Sequence, residues 1–198
     1  MVLRWKLVEG VWTIRARLTV RGFKDLQAQD LITVSSCASR FGQRCICMLA
    51  AQHRLPLWSA DVGQAFLKGM KFDEIARLSG EPIREVQFDL PQHSVPILRM
   101  IEGFEDFNPS LECLDMTGPG FGLMDAPRWW TVKLTSVLTN EQNRMTSTQA
   151  DSRVFARHGK EPSASIVKLE VACSTHVDDV KGTGDPKESK RLLANLSK

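Results

Sequence analysis

The stretch STHVDDVKGTG (Ser174–Gly184) carries two adjacent aspartates, Asp178 and Asp179, inside an otherwise strand-like run. The residues from Ser165 to Val177 alternate as a strand does. Val167, Leu169, Val171, Cys173 and Val177 fall on one face, and Lys168, Glu170, Ser174, His176 and Asp178 on the other. After the aspartates, VKGT runs back as a second short strand, which sets the pair at the tip of a hairpin. Taken alone, the pair reads as a turn, because Asp is a common turn residue.

A third carboxylate alters that reading. Leu55 to Val62 reads as a strand with Trp58, Ala60 and Val62 on one face and Leu57, Ser59 and Asp61 on the other. If this strand neighbours the hairpin in one sheet, Asp61 and Asp178 converge. Clustered carboxylates repel one another unless a cation neutralises them. Hard oxygen ligands suit Mg²⁺, which also holds substrate phosphates. Two such ions, about 3.5–4 Å apart, form the usual clamp for an in-line phosphoryl displacement.

The rest of the chain supplies a frame. Its 198 residues, 42% of them hydrophobic, suffice for one sizeable core and a small second lobe. Met1 to Lys24 reads as a hairpin turning at Glu9-Gly10, with six basic residues against the single acid Glu9. A polar linker follows from Asp25 to Ser36. Ala38 to Gln52 has helical spacing of apolar residues. From Phe72 to Thr117 ten acids face three arginines, and weak periodicity with several prolines predicts short helices and loops. GPGFG (118–122) is a breaker-rich loop. Asp125 is a good N-cap for a helix with Pro127 in its first turn and Trp130, Leu134, Val137 and Leu138 as its apolar stripe. Arg153 to Arg157 reads as a short strand and Ser189 to Leu196 as a closing helix.

Composition narrows the function classes. The net charge of +3 permits nucleic-acid binding without arguing for it. Five cysteines without a secretory leader predict free thiols and an intracellular site, cytoplasmic or nuclear. Cys45, Cys47 and His53 lack the second ligand pair of a zinc site, so the two cysteines are expected to be buried on their helix. No apolar run reaches membrane-spanning length, and no partner membrane is expected. A phosphate-binding loop of the G-x-x-x-x-G-K-[ST] type is absent.

Four blocks occur together: RARLTVRGF (15–23), WSADVGQAFLKG (58–69), GFGLMDAPRWW (120–130) and THVDDVKGTG (175–184). In order and spacing they resemble the reverse transcriptase, an RNA-directed DNA polymerase, of copia-type LTR retrotransposons. The resemblance implies an α+β fold, the fingers and palm of a right-hand polymerase. It divides the chain into a fingers-like hairpin and helix over 1–54 and a palm-like region over 55–198, with an acidic insertion over 72–117. It makes Asp61, Asp178 and Asp179 the catalytic carboxylates holding two Mg²⁺, with Mn²⁺ as a substitute. It puts Val62, Phe66, Asp125, Ala126 and Pro127 at the incoming nucleotide, with Phe66 excluding a ribose 2′-hydroxyl. It assigns Arg15, Arg17 and Arg21 to template or triphosphate. The implied partners are an RNA or DNA template-primer, dNTPs and the integrase and RNase H parts of a Pol polyprotein.

The chain departs from that pattern at several positions. Asp125 stands where the family has Gln, Met124 where Lys is common, His176 where Tyr precedes the carboxylates and Gly63 where Lys is usual. The chain contains no tyrosine. The family also continues through a thumb and an RNase H domain, so the resemblance implies a fragment. A catalytically inactive relic that at most binds nucleic acid is the alternative reading.

Overall fold

The computed structural model describes residues 2–8, 10–159 and 168–197. The first elements are β1 (Val2–Val8), β2 (Val11–Arg17), α1 (Arg40–His53), β3 (Leu57–Asp61) and α2 (Phe72–Ser79). The acidic middle adds β4 (Gln87–Phe88), α3 (Val95–Leu98) and β5 (Leu114–Asp115). Then come α4 (Ala126–Thr139), β6 (Thr146–Ser147), β7 (Val154–His158), β8 (Leu169–His176), β9 (Asp179–Gly184) and α5 (Pro186–Leu196). The architecture is α+β with antiparallel sheets.

The chain divides into two compact units, Met1–Leu31 with Met70–Ala126, and Ile32–Gly69 with Pro127–Lys198. The division does not fall at 54/55, the boundary expected from the sequence. The reason is packing: Ala38 and Ile46 at α1 bury themselves against Val154 and Ala172 of the large sheet.

In the first unit β1 and β2 form a seven-pair antiparallel ladder that turns at Gly10, φ +82°. Register and pleat sort the side chains. Leu3, Trp5, Leu7, Trp12 and Ile14 share one face, and Arg4, Lys6, Thr13, Arg15 and Arg17 the other. The apolar set is exposed. Two of the sequence blocks meet where the chain leaves this hairpin. The Val20 N–H donates to the Phe121 carbonyl at 2.9 Å, and a Cβ on Gly22 would lie 2.0 Å from the Gly122 carbonyl oxygen. Only glycine permits that backbone approach. Arg84 bonds both Asp25 and Asp125 and lies over the Phe72 ring.

The N-cap expected of Asp125 does not form. Its Oδ2 accepts from Arg84 and its Oδ1 has no hydrogen-bond partner. A buried guanidinium needs carboxylates more than a helix end needs one cap.

The second unit is built on a five-stranded antiparallel sheet in the order β3-β9-β8-β7-β6. Helices cover both faces. Trp130, Leu134 and Leu138 of α4 and Leu192 of α5 pack with Phe155, Val171, Cys173 and Val180, while α1 covers Val154 and Ala172. The alternation of β8 into core and polar faces is therefore corrected. Val171 to Thr175 are all buried, Ser174 included, because a helix lies on each side. The part of that expected strand at 165–167 lies outside the described residues. The last helix also begins earlier than Ser189. Asp185 caps it through the N–H groups of Lys187 and Glu188, and Pro186 occupies the first turn.

Gly182 shows how tightly the sheet is packed. It pairs with Trp58, whose indole fills the space a side chain would take: a Cβ there would lie 2.2 Å from Trp58 Cζ2. Gly182→Ala must displace a ring packed on the core, so we expect a loss of about 1–3 kcal/mol. A shift of the urea midpoint at constant m-value is the measurement. An unshifted midpoint means the indole is free to move.

All five cysteines are free. Contrary to expectation Cys47 is exposed and Cys45 half-buried on α1. Cys173 is the buried one, and burial pushes its thiol up to about 12. Among the described residues no helix is long and apolar enough to cross a membrane.

Candidate metal centre

The β3–β9 pairing sets Asp61 directly opposite Asp179, and the β8–β9 pairing sets His176 opposite Asp179 from the other side. Asp178 does not extend β8; it occupies the two-residue turn with Val177. One carboxylate oxygen from each of Asp61, Asp178 and Asp179 lies within 4.8 Å of the others. Among the described residues this is the one such group of potential metal-ligating side chains. All three aspartates are exposed.

The turn is unusual in its chemistry. Val177 has φ +55°, a region that glycine, asparagine and aspartate visit far more readily than a β-branched residue. Such a conformation costs about 1–3 kcal/mol and persists only when its surroundings impose it. Here two successive carbonyls are held. Trp130 Nε1–H donates to the Val177 carbonyl at 2.7 Å, and the Val62 N–H donates to the Asp178 carbonyl at 2.9 Å. Val62 directly follows Asp61, so that second bond ties the two acidic segments together. Gln64, with φ +58°, adds another left-handed residue just beyond β3.

The electrostatics favour a cation. Among the described residues no Lys, Arg or His forms an ion pair with any of the three carboxylates. At this separation each ionised pair repels by about 1 kcal/mol even in water. Three converging oxygen donors without a cationic partner fit a hard divalent ion that keeps some of its waters, as Mg²⁺ does.

The other candidates fall in different settings. Val62 is buried in the core, and Phe66 is half-buried against it in the 3₁₀ turn Ala65–Lys68. Pro127 is half-buried, and its carbonyl accepts from Ser35 Oγ at 3.2 Å. Ala126 and Asp125 are buried, the latter committed to Arg84. Arg15, Arg17 and Arg21 are exposed, with Arg17 over the Phe121 ring at 5.7 Å. Arg15 faces Arg4 across the ladder, an arrangement that repels unless an anion lies nearby.

Reading the residues in order missed the link from Trp130 to Val177, because Trp130 sits in an apolar stripe and reads as core. One signal was available: a buried indole N–H seeks an acceptor. The left-handed Val177 left no such trace, since the chain has neither Gly nor Asn there.

Comparisons with protein-family models, with curated proteins and with solved structures return no match.

Proposed function

We propose that this chain is the fingers and palm of a copia-type RNA-directed DNA polymerase, transferring nucleotides from dNTPs to a primer 3′-hydroxyl. The observation that carries the reading is the meeting of Asp61 with Asp178 and Asp179, drawn from blocks more than a hundred residues apart. These three would hold two Mg²⁺ ions, with Mn²⁺ as a substitute. Bound there, the metals supply charge stabilisation to the attacking and leaving oxygens. The carboxylates orient that charge at the end of the sheet. Phe66, which packs against the core, is the residue to which this reading gives the exclusion of a ribose 2′-hydroxyl. The resemblance assigns Val62, Ala126 and Pro127 to the incoming nucleotide. Arg15, Arg17 and Arg21, exposed and without carboxylate partners among the described residues, hold template or triphosphate in a salt-sensitive way. The partners are a template-primer of RNA or DNA and, in a complete element, the integrase and RNase H portions of its polyprotein.

One observation favours a second reading, a relic that binds nucleic acid without polymerising. The family's glutamine donor is replaced here by Asp125, which is buried and spent on Arg84. The deciding experiment offers the chain a primed RNA template and dNTPs with Mg²⁺ or Mn²⁺. Extension of the primer is the expected result. Salt-dependent template binding with no extension would give the relic reading instead.

A further inference from the structure

We infer that Trp130 is a positioning residue, whose indole N–H holds the Val177–Asp178 turn in the one conformation that sets Asp178 against Asp61. This deepens the proposed function and rests on its reading of the three carboxylates as metal ligands. Val177 occupies a backbone region that β-branched residues avoid, so the turn is not encoded by its own side chains. Something outside the hairpin must impose it. Trp130 is suited to do so. It is 5% exposed and locked in the core with Leu134, Phe155 and Val180, and its Nε1–H reaches the Val177 carbonyl at 2.7 Å. The next carbonyl, that of Asp178, accepts from the Val62 N–H at 2.9 Å. If the turn relaxes, Val177 O leaves Trp130, Asp178 O leaves Val62, and the Asp178 carboxylate leaves Asp61. Without its acceptor the indole N–H would be a buried donor left unpaired, so relaxation is disfavoured from both ends.

The test compares the wild-type chain with Trp130→Phe, which keeps an aromatic ring and loses the donor, and with Trp130→Phe/Val177→Gly, in which the turn residue accepts φ +55° without strain. Two properties are read: amide hydrogen exchange of Val62 without metal, and the affinity for Mn²⁺ alone. In Trp130→Phe the Val62 amide should exchange about tenfold faster and Mn²⁺ should bind about five- to tenfold more weakly, the loss expected for one hydrogen bond. In the double variant both values should return to within about twofold of wild type. Replacing Trp130 by benzothienylalanine, an isostere lacking the N–H, gives the same readouts should phenylalanine fail to fold. Unchanged Val62 exchange in a donor-free variant, or no recovery on adding Val177→Gly, overturns the inference. If Val62 exchange responds as stated but wild type binds no Mn²⁺ that Asp61→Asn removes, the metal reading fails while the positioning role of Trp130 stands.

Discussion

Asp178→Asn is expected to abolish primer extension while raising the thermal stability of the metal-free protein. The two effects have one cause. Asp178 contributes one of three carboxylate oxygens gathered within 4.8 Å, with no cationic partner among the described residues. On the proposed function, replacing it with an amide weakens the hold on the metal beside the reacting phosphate. We expect a loss of about a thousandfold or more in rate, equivalent to about 4 kcal/mol of transition-state stabilisation. The same change removes repulsion from Asp61 and Asp179, about 1 kcal/mol each at most in water. Asparagine is as good a turn residue as aspartate, so the hairpin itself is undisturbed. The melting temperature should therefore rise by about 2–4 °C for a chain of this size. On the proposed reading template binding should persist, because that reading assigns the phosphates to the hairpin arginines and not to Asp178. A variant that extends primers at near wild-type rate would remove Asp178 from the chemistry. One that loses activity together with stability would make it a structural residue.

Arg157→Ala is expected to cause the largest loss of stability. The Arg157 side chain is 1% exposed, and each of its three guanidinium nitrogens has a partner. Nε bonds Glu170 Oε2 at 2.7 Å, Nη1 donates to the Asn143 carbonyl at 2.9 Å and Nη2 bonds Glu188 of α5. One side chain thus joins β7, β8, the segment after α4 and the last helix. Truncation leaves Glu170 without its cation, leaves Glu188 with Arg191 alone at 3.4 Å, and opens a void where the guanidinium lay. Breaking a buried pair costs about 3–5 kcal/mol. Glu170 and Glu188 keep 27% and 22% of their side-chain exposure, which places the expected value near the lower end. A fall of about 6–12 °C in melting temperature is the corresponding result. Arg157→Met combined with Glu170→Gln and Glu188→Gln should recover most of it, since no buried charge is then left unpaired and Arg191, which loses Glu188, is 45% exposed to water. If Arg157→Ala loses less than about 1 kcal/mol, the network is decoration on a core that stands without it.

The two variants differ in how visible their residues were in the sequence. Asp178 and Asp179 announced themselves by interrupting a strand, and Asp61 by closing another. Arg157 gave no sign: it read as the end of a short strand, and nothing local marks a cation for burial. Asp125 misled, because its setting before Ala-Pro is that of an N-cap and the competitor for its carboxylate, Arg84, lies 41 residues away. Ser174 misled for a similar reason. Alternation assigns it to a polar face, but whether that face meets water depends on α1, which packs over the sheet from the other end of the chain.

The hairpin at the N-terminus, the helix after Ser39, the strand ending at Asp61 and the turn at Asp178 could be read directly from neighbouring residues. Each is encoded by periodicity and turn chemistry acting over a few positions. That Asp61 lies across β9 from Asp179 could not be read that way. Strand order and register are settled by pairing over more than a hundred residues and by helices closing on both faces of the sheet. The same packing, through one indole and one backbone amide, holds a valine in a conformation its own chemistry disfavours, and so holds Asp178 beside Asp61.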